Sequence, residues 1–180
     1  MPELNELFPL THAHLVNAAY TWVLKNASCG VAFREFNTFA CNGEYPDVIG
    51  FGSGSSTLIE CKVSRADYFA DAKKLFRSKP ELGMGDFRYY CCPTGLIKKE
   101  ELPEGWGLIY VDQLCKAKLV HRAVVEKTLE NGFQHKTPFQ HKKNIRAEHQ
   151  LMYSALRRLH IRGRIEEVYT DPKEIKINQP

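Results

Sequence analysis

Three ionisable residues, Asp47, Glu60 and Lys62, stand where a short turn would bring them together. PDVIGF and STLIECKV are two β-rich runs joined by the small-residue loop Gly52-Ser53-Gly54-Ser55, which reads as a hairpin. With the turn centred on Ser53-Gly54, Asp47 lies opposite Glu60, where facing Cβ atoms are typically about 4.5–5.5 Å apart. Strand alternation sends Glu60 and Lys62 to one side and Cys61 to the other. Two carboxylates that close repel each other, and partial burial makes the strain worse. A divalent cation relieves it. Mg²⁺ or Mn²⁺ takes oxygen ligands and keeps several waters, so Asp47, Glu60 and the backbone carbonyl of Cys61 form an adequate set. A bound ion acidifies a coordinated water and polarises a phosphoryl oxygen. Lys62 beside it can orient or deprotonate the attacking water and neutralise charge developing on the phosphate. These parts suffice for hydrolysing a phosphodiester. The competing account is an exposed cross-strand ion network without chemistry. The flanking apolar runs IGF and LI speak against it, because they mark central strands.

Pro46-Asp47, a twelve-residue gap and Glu60-Cys61-Lys62 resemble the PD-(D/E)xK signature of restriction-endonuclease-like nucleases. The resemblance extends over roughly residues 11 to 112, taking in the helix opened by Ser64-Arg65-Ala66-Asp67-Tyr68 and the strands around Arg88-Tyr89-Tyr90 and Gly107-Leu108-Ile109. It is similar to small bacterial or phage members of DNA-repair type. It implies an endo- or exodeoxyribonuclease dependent on Mg²⁺ or Mn²⁺, with Asp47 and Glu60 as metal ligands and Lys62 at the water and scissile phosphate. One departure stands out. Many members carry a further acid on the first helix, yet residues 12 to 24 contain none. Glu35 and Glu44 are the substitutes, with Glu35 preferred because Glu44 would sit on the opposite face of a regular strand.

The elements that must position these residues follow from periodicity. A first helix runs from Thr11, its N-cap, to about Lys25, with Leu15, Ala18, Ala19, Trp22 and Val23 on one stripe. VAFREF reads as a strand and Asn42-Gly43 as a turn. A second helix spans Ala66 to Arg77, and FRYYCCP, WGLIYVD and KAKLVHRAVV read as three more strands. A last helix runs from about Asn144 to His160, its buried stripe Ile145, Met152, Leu156 and Leu159, with Gly163 as stop signal. The expected fold class is α/β, a restriction-endonuclease-like mixed β-sheet flanked by helices. The expected organisation is a single domain over 1–180 with a basic helical extension about 136–164.

The net charge of +4 over 180 residues is too small to argue for nucleic acid by itself. Its distribution says more. Residues 136 to 164 carry eight Lys and Arg against Glu148, and residues 62 to 79 carry six against Asp67 and Asp71. Arg65, Lys73, Lys74, Lys142 and Lys143 are the expected nucleic-acid contacts, each set against a plainer reading as solvated surface or, for Arg65, an ion pair with Asp67 or Asp71. Tyr89 and Tyr90 could stack bases or belong to the core. His12 and His14 read as capping or surface residues before metal ligands. DNA is the leading partner and RNA the second, a homodimer is open, and a catalytically inactive nucleic-acid-binding protein on the same fold is the alternative function. The six cysteines lack zinc spacing and read as reduced, mostly buried thiols. No apolar run suits a membrane span, and the N-terminus lacks a secretory pattern, so the expected location is cytoplasmic.

Overall fold

A computed structural model describes residues 9–38, 40–128 and 134–170. Its first element is helix α1 (His12–Asn26), capped by Thr11 and His14, and it buries Leu15, Val16, Ala18, Ala19, Trp22 and Val23. The strands β1 (Val31–Arg34), β2 (Val48–Phe51) and β3 (Ser56–Cys61) follow, then the short helices α2 (Arg65–Asp71) and α3 (Leu75–Ser78). Next come β4 (Phe87–Pro93), β5 (Trp106–Val111), β6 (Ala117–His121), β7 (Val124–Thr128), β8 (Gln134–Pro138) and helix α4 (Ile145–Ile161). Strands β1 to β6 form one six-stranded sheet in sequence order, while β7 and β8 pair separately. The β3–β4 and β4–β5 pairings are parallel and the others in the large sheet antiparallel. The protein is therefore α/β, a mixed sheet flanked by helices.

The two faces of the sheet carry separate cores. The α1 face gathers Val48, Ile59, Cys61, Tyr89, Cys91 and Ile109, and the opposite face gathers Ile49, Leu58, Tyr90, Cys92, Trp106 and Leu108. Neighbouring residues such as Tyr89 and Tyr90, or Cys91 and Cys92, thus point in opposite directions. Both tyrosines are buried, 7% and 0% exposed, so neither is a base-stacking surface. Gly50 lets α1 approach β2 closely, since a Cβ there would stand 2.8 Å from Val23 Cγ2. That contact fixes the hairpin beneath α1.

Four expectations change. The second helix is not continuous: it stops at Asp71, and Lys74 opens the separate turn α3. In an unbroken helix Arg77 would lie about 240° around from Asp71; the break lets its Nε reach Asp71 Oδ2 at 2.6 Å. The run KAKLVHRAVV is two strands, with β7 leaving the large sheet after Arg122-Ala123. The last helix turns a different face inward. It buries Ala147, Glu148 and Leu151, whereas Ile145, Met152 and Leu156 are 70%, 39% and 50% exposed. Glu148 dictates this rotation, because its Oε1 accepts from Ser56 Oγ at 2.6 Å and Gly85 N at 2.8 Å. The segment expected as a basic extension is helical only from Ile145, and Ala147 and Leu151 belong to the second core. Gly163, at φ +68, ends that helix as expected. The Lys136 side chain lies outside the described residues.

Candidate active site

The hairpin register is the one the turn predicts. Val48 pairs with Ile59, Ile49 with Leu58 and Phe51 with Ser56, so continuing the ladder by one residue brings Asp47 to Glu60. Regular pairing stops there, and the Asp47 side chain takes over: its Oδ2 accepts the Cys61 N–H at 2.7 Å. The N–H and C=O of one extended residue leave on the same edge. The Cys61 carbonyl therefore leaves β3 on the Asp47 side, while Lys62 N donates to Cys91 O at 2.9 Å on the other.

Glu60 and Lys62 share a face, as alternation requires, and Lys62 Nζ lies 3.1 Å from Glu60 Oε2. Sequence reasoning did not bring Asp71, Arg77 and Tyr90 to this cluster, and it named Lys74 and Glu44 for other roles. Asp71 Oδ1 meets Lys62 Nζ at 3.2 Å and Lys74 Nζ at 2.8 Å. Arg77 reaches Glu60 Oε2 at 3.3 Å and Glu44 Oε1 at 3.0 Å. Tyr90 donates its hydroxyl to Asp71 Oδ2 at 2.8 Å. The signal was present: Asp71 follows Tyr68 by three residues and so falls on the buried side of α2. Of the three cations at Glu60, only Lys74 opens to solvent, with 43% of its side chain exposed against 5% for Lys62 and 4% for Arg77.

Electrostatics separates the acids. Burial pushes the Asp47 carboxyl up to about 6, and the Glu60 charge adds to that, against the pull of the Cys61 N–H and Lys62. Burial also raises Asp71, but Arg77 and Lys62 outweigh it and hold Asp71 well below the usual range. Burial alone would lower Lys62, yet Glu60, Asp71 and Asp47 together raise it. The net direction favours the ammonium form of Lys62. Glu60 Oε1 is the one buried side-chain polar atom among the described residues with no hydrogen-bond partner.

The candidates for a further acid divide. Glu44 lies in an irregular turn, where strand alternation does not apply, and is buried with Oε2 accepting Met84 N at 2.6 Å. Both its oxygens are occupied, so it serves as an anchor for Arg77. Glu35 is exposed at the rim, where His12 Nε2 stands 3.5 Å from both Glu35 Oε1 and Asp47 Oδ1. His14 caps α1 as expected, but His12 faces this site. Among the described residues no three His, Cys, Asp or Glu side chains converge as a metal-holding group. An ion here would rest on Asp47, the unpartnered Glu60 oxygen and the Cys61 carbonyl, with water completing its shell. That donor set suits Mg²⁺ or Mn²⁺.

The expected nucleic-acid contacts also sort themselves. Arg65 is bound to Glu101 through 2.5 and 2.7 Å hydrogen bonds rather than to Asp67 or Asp71. Lys143 is locked between Asp86 at 2.5 Å and Glu148 at 2.9 Å. Lys74 faces Glu60 and Asp71. Lys73 and Lys142 are exposed. Of the cysteines, Cys29, Cys61, Cys91 and Cys92 are buried and Cys41 and Cys115 exposed. No described helix is long and apolar enough to cross a membrane.

No family model and no curated protein matches the chain. One solved structure is similar, that of a protein of unknown function from Silicibacter pomeroyi: 24% identical, covering 96% of this chain and 100% of its own, with a TM-score of 0.53. The likeness concerns the fold alone.

Proposed function

We propose that this chain is a metal-dependent nuclease that hydrolyses phosphodiester bonds of nucleic acid, with DNA as its substrate. The observation that carries the reading is the hairpin register that sets Asp47 across from Glu60 at the end of β3. There Asp47 is pushed up to about 6 by burial and by Glu60, and Glu60 keeps one buried oxygen without a partner. Both are features of a site that gains by taking a cation. Asp47, Glu60 and the Cys61 carbonyl would hold Mg²⁺ or Mn²⁺, which supplies an acidified water and a polarised phosphoryl oxygen when bound. Lys62 stays protonated and orients that side of the site toward the phosphate. Lys74, the exposed ammonium of the cluster, meets the incoming phosphate from solvent. Asp71, Arg77 and Tyr90 hold Lys62 and Glu60 in place.

A second reading, an inactive nucleic-acid-binding protein on the same fold, is favoured by one observation. Glu60 Oε2 already faces Lys62, Lys74 and Arg77, which offsets much of the charge an ion would neutralise. Supercoiled plasmid and labelled single strands incubated with Mg²⁺, Mn²⁺ or EDTA separate the two. Cleavage that needs the metal and disappears in Glu60→Gln supports the nuclease. Metal-independent cleavage, or none beside a salt-dependent mobility shift, rejects it in favour of the second reading.

A further inference from the structure

A groove of about 420 Å³ opens beside Asp47, lined by Glu35, Phe36 and Asn37 on one side and Tyr45, Pro46 and Asp47 on the other. We propose that this groove seats an unpaired nucleobase of the strand whose phosphate lies at Asp47 and Glu60, so that the substrate is single-stranded nucleic acid or a frayed end. The inference rests on the nuclease reading and names its substrate class.

Charge decides which part of a nucleotide enters. The Glu35 carboxylate lines the groove and repels a phosphate, whereas a neutral heterocycle meets no such opposition. The walls supply what a base needs. Tyr45 is 58% exposed, and among the described residues no ring or cation packs on it. An aromatic face left bare beside a polar cleft is a stacking platform in waiting. Phe36 is fixed from behind, its ring 5.0 Å from that of Phe33 and 4.1 Å from the Arg158 guanidinium carbon. Arg158 also donates to the Asn37 carbonyl, which ties the Glu35–Asn37 wall to α4. That wall is therefore preorganised. The Asn37 amide and Glu35 carboxylate add hydrogen-bonding groups for a base edge. A base inside a duplex keeps its faces covered by its neighbours and cannot present them to Tyr45; an unpaired base can.

The test is a binding titration of the full chain with a 2-aminopurine-labelled oligonucleotide, single-stranded or annealed, in Ca²⁺ and in EDTA. The wild-type protein should quench the single-stranded probe and bind it more tightly than the duplex. Tyr45→Ala should abolish the quench and weaken single-strand binding by about 5–150-fold, leaving duplex affinity unchanged. Tyr45→Phe, which keeps the ring, should behave as wild type, and unchanged melting of both variants excludes misfolding. Equal affinity of Tyr45→Ala and wild type for the single strand, or wild-type binding without quenching, overturns the proposal. Plasmid cleavage in Mg²⁺ is read separately: a Tyr45-dependent quench without cleavage keeps the groove and removes the nuclease reading.

Discussion

Two clusters of buried acids and lysines lie against the same strand, one at each end, and they differ in a single respect. At the start of β3, Ser56 joins Asp86, Glu148 and Lys143. Asp86 Oδ2 accepts from Ser56 N and Lys143, and Oδ1 accepts from Gln140 at 3.0 Å. Glu148 is equally complete, with Ser56 Oγ and Gly85 N on Oε1 and Lys143 on Oε2. Every carboxylate oxygen is used. Burial pushes Asp86 up, but Gln140 and Lys143 outweigh it and hold the acid low. At the far end of β3 the same residue types leave Glu60 Oε1 unpartnered and Asp47 raised to about 6, with Lys74 open to solvent. A closed network of this kind ties α4 to the sheet; an open one retains capacity for a ligand. Buried charge alone does not mark a site.

The largest effect should come from breaking the closed network. Lys143→Met leaves Asp86 and Glu148 buried without their cation and should cost about 3–5 kcal/mol. At roughly 2–4 °C per kcal/mol for a chain of this size, melting should fall by at least about 6 °C. Lys74→Met, at the open end, should change stability by under about 1 kcal/mol, because its ammonium is half exposed and Lys62 and Arg77 still hold Glu60 and Asp71. Calorimetry of both variants decides; equal melting of the two would erase the distinction between the clusters. Next comes activity. Glu60→Gln and Lys62→Met should each lower metal-dependent cleavage about 10²–10³-fold, as loss of one electrostatic contributor commonly does. Lys62→Met should still show an Mn²⁺-induced rise in melting temperature, and Glu60→Gln should not. Loss of the Mn²⁺ response in both would assign the ion to a different set of residues.

The hairpin was readable because its signals are local. Turn composition set the register that pairs Val48 with Ile59, and strand alternation put Glu60 beside Lys62. The sheet's mixed character followed from alternating runs. What escaped was set by distant partners. Arg65 finds Glu101, thirty-six residues away, which no helical spacing suggests. Glu148 outranked the apolar stripe of α4 because two hydrogen bonds and Lys143 draw it inward. Glu44 escaped strand alternation because Asn42 and Gly43 make a turn there, Gly43 N bonding Ala40 O at 3.0 Å. His12 was read as a helix-start residue, since nothing nearby in sequence tells that Asp47 lies against that turn.

A third and smaller effect uses pH. The folded protein holds Asp47 at about 6, above its ordinary 3.8, so folding favours the neutral acid. Wild-type stability without metal should therefore fall as pH rises from about 4 to about 6 and remain lower above it. Asp47→Asn keeps an oxygen for the Cys61 N–H and carries no charge. In EDTA it should melt higher than wild type at pH 8, by roughly 1–3 kcal/mol, and no higher at pH 4. Asp47→Ala is the poorer probe because it also orphans that N–H. Mn²⁺ should raise wild-type melting and leave Asp47→Asn unmoved. A stability difference that is the same at both pH values would show that burial and Glu60 do not strain the Asp47 carboxylate.

The smallest effect concerns the surface. Lys73 and Lys142 are exposed, while Arg65 and Lys143 spend their charge on Glu101, Asp86 and Glu148. Only the first pair can release counterions by meeting phosphates. Neutralising either should flatten the slope of log affinity against log salt by about 0.7 on single strands, or about 0.9 on duplex. Arg65→Gln should leave the slope unchanged, since its guanidinium is already paired through two hydrogen bonds and tracks no backbone. The slope, unlike affinity at one salt concentration, separates a lost phosphate contact from a general loosening of the fold. If Lys73→Gln and Lys142→Gln both keep the wild-type slope while Arg65→Gln lowers it, the strand runs over the α2–Glu101 side and those lysines are solvated surface.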